Sequence, residues 1–303
     1  MTERQPLILD VDTGIDDAAA LALAVNSPEI ELLAVATVAG NVDITQTTDN
    51  TLRVLAWLGA AEVPVHRGAS RPLIKPHQDA AFVHGTNGLG NATFPESDAG
   101  IGKDRGPAAI VRLAMARPGE ITLVCVGPLT NLAIALNVEP TLVSLLKRVV
   151  IMGGSFFNPG NITPFAEFNI FVDPEAAAQV FCAGFAEITL VGLDASHQTT
   201  LTRDEWDSAS RQENEPASLL SRVYAQSFTT RGKSDCYLHD PLALAIAVDP
   251  TLAGYATGQA SVELDSDRRG QTTLNEGAGC AKVAKTVDVE RFKAFFADRL
   301  KLG

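Results

Sequence analysis

Leu7-Ile8-Leu9-Asp10-Val11-Asp12-Thr13-Gly14-Ile15-Asp16-Asp17 is the stretch whose reading decides the fold. An apolar run leads in, a glycine turn sits in the middle, and an Ala/Leu-rich helical pattern follows. That is the pattern of a buried first strand turning into a helix. Four aspartates fall within its last eight residues. Carboxylates this close raise one another's pKa unless something positive compensates. A hard divalent cation is the natural compensator, because all-oxygen ligand sets suit calcium or magnesium. A metal site at the C-terminal end of the first strand is therefore expected. An Asp at a helix start is common as a cap or first-turn charge. Capping accounts for Asp16 and extends at most to Asp17, but not to Asp10 and Asp12.

The chain has 303 residues, 46% of them hydrophobic, enough for one large α/β core or two ordinary domains. Its formal net charge is -12, and it has no Lys/Arg cluster beyond Arg268-Arg269, expected as a solvated turn. Such a chain is a poor binder of nucleic acid or of an anionic membrane. No signal-peptide pattern and no membrane-spanning run is read from it. The four cysteines (Cys125, Cys182, Cys236, Cys280) are scattered, with no C-x-x-C pair. Cys125 and Cys182 lie in apolar patterns and are expected as core thiols in a reducing, cytoplasmic setting.

Strands and helices alternate along the chain. Strands are expected at 7–11, 31–38, 121–126, 149–152 and 188–192. Helices are expected at 16–26, 45–58, 108–116, 129–146 and 173–183. Continuous apolar strands between helices argue for a mostly parallel open sheet, helices on both faces. Ligands bind such sheets outside the carboxyl ends of the strands. There the sequence sets Asp10 and Asp12, Gly40-Asn41, Gly127, Gly153-Gly154 and Asp194. Residues 70–103 hold Pro, His and Gly with little periodicity, a length that suits a mobile flap. The region 201–239 reads as mainly helical, polar and irregular at its end.

With Asp10-Val11-Asp12-Thr13-Gly14-Ile15-Asp16-Asp17 in hand, the chain resembles the inosine-uridine-preferring nucleoside hydrolase family. Further blocks follow in order: Val38-Ala39-Gly40-Asn41, Phe82-Val83-His84-Gly85, Val126 to Asn131, Met152-Gly153-Gly154, Asn161 with Ala166-Glu167-Phe168-Asn169, Asp173-Pro174-Glu175-Ala176, and His239-Asp240-Pro241. The resemblance covers essentially the whole chain and implies one catalytic domain, residues 1–303, with a Rossmann-like sheet. It implies hydrolysis of the N-glycosidic bond of ribonucleosides to ribose and free base. Calcium would be held by Asp12, Asp17, the carbonyl of Val126 and Asp240. Asp12 would take the proton of a metal-bound water attacking C1′, through an oxocarbenium-like transition state. Asp16, Asn41, Asn161, Glu167 and Asn169 look like the ribose-binding set, and Asp10 like a residue that orients the loop. His239 is the candidate for protonating the leaving base, and His84 for a substrate contact. Phe165, Phe168, Tyr237 and Arg231 are candidate neighbours of the base. A homodimer or homotetramer serving nucleoside salvage is also implied.

Two other classes compete. A haloacid-dehalogenase-like phosphatase also opens on an apolar strand with Asp-x-Asp, using Asp10 as nucleophile and Asp12 as acid/base. A catalytically silent nucleoside binder would keep the fold without turnover. The late blocks around Glu167 and Asp240 have no place in the phosphatase.

Overall fold

The computed structural model describes residues 4–265 and 267–302. The strands are β1 (Gln5–Val11), β2 (Ile30–Thr37), β3 (Val65–Arg67), β4 (Thr122–Cys125), β5 (Arg148–Met152), β6 (Ile188–Val191), β7 (Thr200–Thr202), β8 (Asp235–Tyr237), β9 (Ala253–Val262), β10 (Thr272–Glu276) and β11 (Ala281–Val287). Among the described residues one nine-stranded sheet runs β10-β9-β11-β6-β5-β4-β1-β2-β3. From β3 to β11 every neighbour pair is parallel, while β9 pairs antiparallel with both β11 and β10. The order 3-2-1-4-5-6 is that of a dinucleotide-fold sheet, so the direction in which strands are added reverses between β1 and β4.

Strand periodicity explains why β1 is apolar throughout. Leu7, Leu9 and Val11 enter the core on one face, and Ile8 enters the core on the other. Helices Ile15–Asn26, Glu215–Ala225, His239–Val248 and Val289–Leu300 cover the first face. Helices Gly106–Ala116, Thr130–Val138 and Pro174–Phe181 cover the second. Each fully buried leucine in these layers contributes about 1.5–3 kcal/mol.

The expected α/β sheet is present, and three details differ from the sequence reading. The region 201–239 is not helical throughout: β7 and β8 form a two-stranded antiparallel sheet within it. Cys182 is exposed rather than in the core, because the helix Pro174–Phe181 ends there and the chain turns outward. Arg269 is not simply solvated: it reaches the Glu175 carboxylate at 2.6 Å and also donates to the Leu264 carbonyl. No helix among the described residues is long and apolar enough to cross a membrane.

Candidate active site

The carboxyl ends of β1, β2, β4, β5 and β6 deliver their following residues to one edge, and a cavity of about 200 Å³ opens there. Asp16, Asn41, His84, Val126, Asn161, Glu167, Asn169, His239 and Asp240 all line it. Asp12 and Asp17 lie beneath this lining, fully buried.

The first turn after β1 is organised by Asp17. Its Oδ1 accepts the amide of Asp12 at 3.0 Å, and its Oδ2 accepts the amide of Gly14 at 2.9 Å. Asp17 thus caps the helix Ile15–Asn26 by accepting the Gly14 amide, and Asp16 sits beside it in the first turn. The same oxygen accepts Asn41 Nδ2 at 3.1 Å, and the Asn41 amide donates to Asp12 Oδ2 at 2.7 Å. Asp12 Oδ1 is buried and has no hydrogen-bond partner among the described residues. Glycine is required around it: a Cβ on Gly40 would collide with Asp12 Oδ2, and one on Gly127 would come within 2.9 Å of Oδ1.

Oxygens of Asp16, Asp17 and Asp240 lie within 4.8 Å of one another. Asp17 and Asp240 therefore meet as the sequence suggests. Asp16, assigned there to the sugar, stands in the same cluster, while Asp12 flanks it. Burial, then mutual repulsion, drives the proton affinity of these acids up. Asp16 is pushed to about 7 by desolvation and by the charge of Asp17. Burial, then the neighbouring carboxylates, holds Asp12 and Asp240 well above the usual range. Burial also raises Asp17, against the bonds it accepts from the Gly14 and Asp12 amides. The Val126 carbonyl already accepts Asn169 Nδ2 at 2.9 Å, which leaves its second lone pair.

Glu167 accepts three amides, from Gly154 (3.0 Å), Asn169 (2.8 Å) and Ile170 (3.1 Å), and caps the helix Phe168–Val172. Burial nevertheless pushes it to about 7. Asn161 Oδ1 accepts the Phe168 amide at 3.0 Å. His84 Nδ1 accepts the Ile15 amide at 3.0 Å and lies 4.0 Å from Asp16. Desolvation lowers His84 and His239 to about 3, so both imidazoles are neutral near pH 7. His239 Nδ1 meets Ser196 Oγ at 2.8 Å, and its ring sits 5.5 Å from that of Tyr237.

Asp10 is different. It is buried away from the cavity, where Oδ1 accepts Asn131 Nδ2 at 2.7 Å. An attacking nucleophile needs access to substrate, so this placement argues against the phosphatase reading. Of the candidate base neighbours, Phe168 and Tyr237 line the cavity and Phe165 does not. Arg231 does not line it either, but ties the flap down by donating to the Val83 carbonyl at 2.7 Å. Trp57 packs on Phe94 and Trp206 on Phe228, away from the cavity. The sequence reading missed Met152, Tyr224 and Lys233, which also line it. Lys233 lies in the polar, irregular end of 201–239; Met152 stands in the Met152-Gly153-Gly154 block with no site role read from it, and Tyr224 carries no signal beyond apolar patterning.

The fold and site together define an α/β enzyme whose acidic pocket opens at the switch point of its sheet. Comparison with known proteins names the family. The chain belongs to the inosine-uridine preferring nucleoside hydrolases, whose family model matches residues 7–294, and it is a hydrolase of N-glycosyl bonds. It is 37% identical to the probable uridine nucleosidase 2 of Arabidopsis thaliana, covering 98% of each chain. It is 39% identical to the non-specific ribonucleoside hydrolase RihC of Escherichia coli K12, covering 99% of each. Among solved structures, a purine-preferring ribonucleoside hydrolase from Gardnerella vaginalis superimposes with TM-score 0.93 at 34% identity, over 98% of this chain and 99% of that one.

Proposed function

We propose that this chain hydrolyses ribonucleosides to ribose and free base, using calcium held by Asp12, Asp17, Asp240 and the Val126 carbonyl. The observation that carries the proposal is the buried set of acids at the β1/β4 switch point, with one Asp12 oxygen left unpartnered. The donor set fits a hard cation: it is all oxygen, and its carboxylates repel without one. Asp16 stands close enough to share in that field while facing the cavity.

When bound, calcium supplies positive charge that acidifies water and holds ribose hydroxyls. Asp12 accepts the proton of the attacking water through its free Oδ1. Asp16, Asn41, Asn161, Glu167 and Asn169 bind the ribose; the side chains of Asn161, Glu167 and Asn169 are already fixed by backbone hydrogen bonds, and that of Asn41 by the Asp17 carboxylate. Little reorganisation is then needed as positive charge develops on the sugar. A site built to pair hydroxyls rejects a deoxyribose, since its polar groups would be left unsatisfied.

His239 and Tyr237 face the leaving base, and His84 contacts substrate from the flap. The neutral state of His239 suits it to donate a hydrogen bond rather than to hold a standing positive charge. Trp57 and Trp206 lie away from the cavity, so no indole lines it to stack on a purine, which argues against a purine-exclusive mode. The same reading extends to cytoplasmic nucleoside salvage by a homodimer or homotetramer. Ribose release from a panel of ribonucleosides, with and without chelator, tests the proposal. Chelator-sensitive release supports it, and nucleoside binding without release favours the silent binder.

A further inference from the structure

We infer that Ser196 is a positioning residue that holds His239 in the tautomer with its proton on Nε2, presented to the cavity. The inference rests on the proposed role of His239 as hydrogen-bond donor to the leaving base. Ser196 is completely buried at the end of the short helix Leu193–Ser196, just past β6. Its Oγ has one hydrogen-bond partner among the described residues, His239 Nδ1 at 2.8 Å.

Two assignments of that bond exist, and they differ in what they leave unmade. With the proton on Nδ1, the ring donates to Oγ, and the buried serine hydrogen then has nowhere to go. An unsatisfied buried donor costs roughly 1–3 kcal/mol. With the hydroxyl donating to Nδ1, the serine is satisfied and the ring proton must sit on Nε2. That nitrogen has no protein partner among the described residues, and His239 lines the cavity. Its N–H is thereby free for an acceptor on the departing base.

The support behind Ser196 is rigid. Asp194, two residues earlier on the same helix, accepts the amides of Phe156 and Phe157 at 2.8 and 2.9 Å. His197, one residue later, stacks on Tyr237 with ring centroids 4.2 Å apart. One short helix therefore sets both the His239 tautomer and the aromatic wall beside it.

The test has a structural and a kinetic arm. Nitrogen-15 NMR of histidine-labelled protein, with the His239 signals identified by their loss in His239→Ala, reads the tautomer directly. The Nε2-protonated pattern is expected, changing to a mixture in Ser196→Ala and restored in Ser196→Thr. An Nδ1-protonated His239 in the unaltered protein overturns the inference, whatever the enzyme turns over. Kinetically, Ser196→Ala should lower kcat on inosine or uridine roughly tenfold to hundredfold. That is part of the ~10²–10³ that one positioned hydrogen-bond donor to developing charge supplies. KM should hold, and an activated nitrophenyl riboside should lose little. In a His239→Ala background the serine change should cost nothing more. Equal losses on both substrates, or additive losses with His239→Ala, overturn it. Absence of ribose release from the unaltered enzyme would instead refute the hydrolase reading and leave the NMR result standing.

Discussion

Asp12→Asn removes the proposed base while preserving its shape. The amide oxygen can keep the 2.7 Å bond from the Asn41 amide, and the new NH2 takes the place of the unpartnered Oδ1. Gly40 and Gly127 already leave room for a group of this size. A general base contributes about 10²–10⁴ in rate. At about 1.36 kcal/mol per decade, that is roughly 2.7–5.4 kcal/mol of transition-state stabilisation. Loss of a calcium ligand adds to it. Stability should respond in the opposite sense. Burial and its neighbours raise the pH at which Asp12 ionises in the metal-free chain; above that pH its charge repels Asp17 and Asp16, and neutralisation relieves strain there. The metal-free variant should melt at or above the metal-free parent, and calcium should raise its Tm less. Ribose-release kinetics at saturating calcium, with paired melting curves, check both halves. A kcat/KM within tenfold of the parent would remove Asp12 as the base. A variant that melts well below the metal-free parent would refute the electrostatic account.

The acid cluster makes calcium stabilisation pH-dependent. Folded-state proton affinities are raised, to about 7 for Asp16 and Glu167, so the metal-free fold binds more protons than the unfolded chain between about 4 and 7. That contribution is full below the ordinary carboxylate range and is lost as pH rises through about 7. The calcium-induced rise in Tm should therefore grow across this window, with protons released on binding; a pH-independent increment contradicts it. Asn131→Ala strips the partners from Asp10 Oδ1 and the Ala69 amide, while the Thr37 carbonyl keeps the Gly68 amide. It should cost about 2–4 kcal/mol in urea unfolding, since each buried orphan costs roughly 1–3 kcal/mol. Phe82→Ala, at an exposed position on the cavity wall, should raise KM several-fold with kcat nearly unchanged; an equal fall in kcat would give Phe82 a role in chemistry. Trp57→Ala should leave the ranking of bases unchanged, and a changed ranking would bring that tryptophan into the site.

Much of this was legible in the sequence for a physical reason. Parallel strands buried on both faces read as continuous apolar runs, so β1, β2, β4, β5 and β6 stood out, and the polar residues after them marked the site edge. The strands β9 to β11 did not stand out. Ala253–Val262 is rich in Gly, Ala and polar residues because much of it is solvent-exposed, and its antiparallel return leaves no apolar run. The irregular end of 201–239 likewise concealed β8, three residues fixed by pairing with β7 rather than by their own propensity. Asp10 and Asp12 look equivalent in sequence; only the fold separates them, one bound to Asn131 away from the cavity and one beside the acid cluster. The Ser196–His239 contact spans 43 positions and no local pattern announces it.

The central claim is calcium-dependent cleavage of the ribosyl–base bond. The most direct measurement is free-ribose release from inosine, adenosine, uridine and cytidine, with 2′-deoxyinosine as control and a chelator-treated parallel. The account predicts release from ribonucleosides, little from the deoxy control, abolition by chelator and recovery on adding calcium. No release from any ribonucleoside, or release untouched by the chelator, would contradict it.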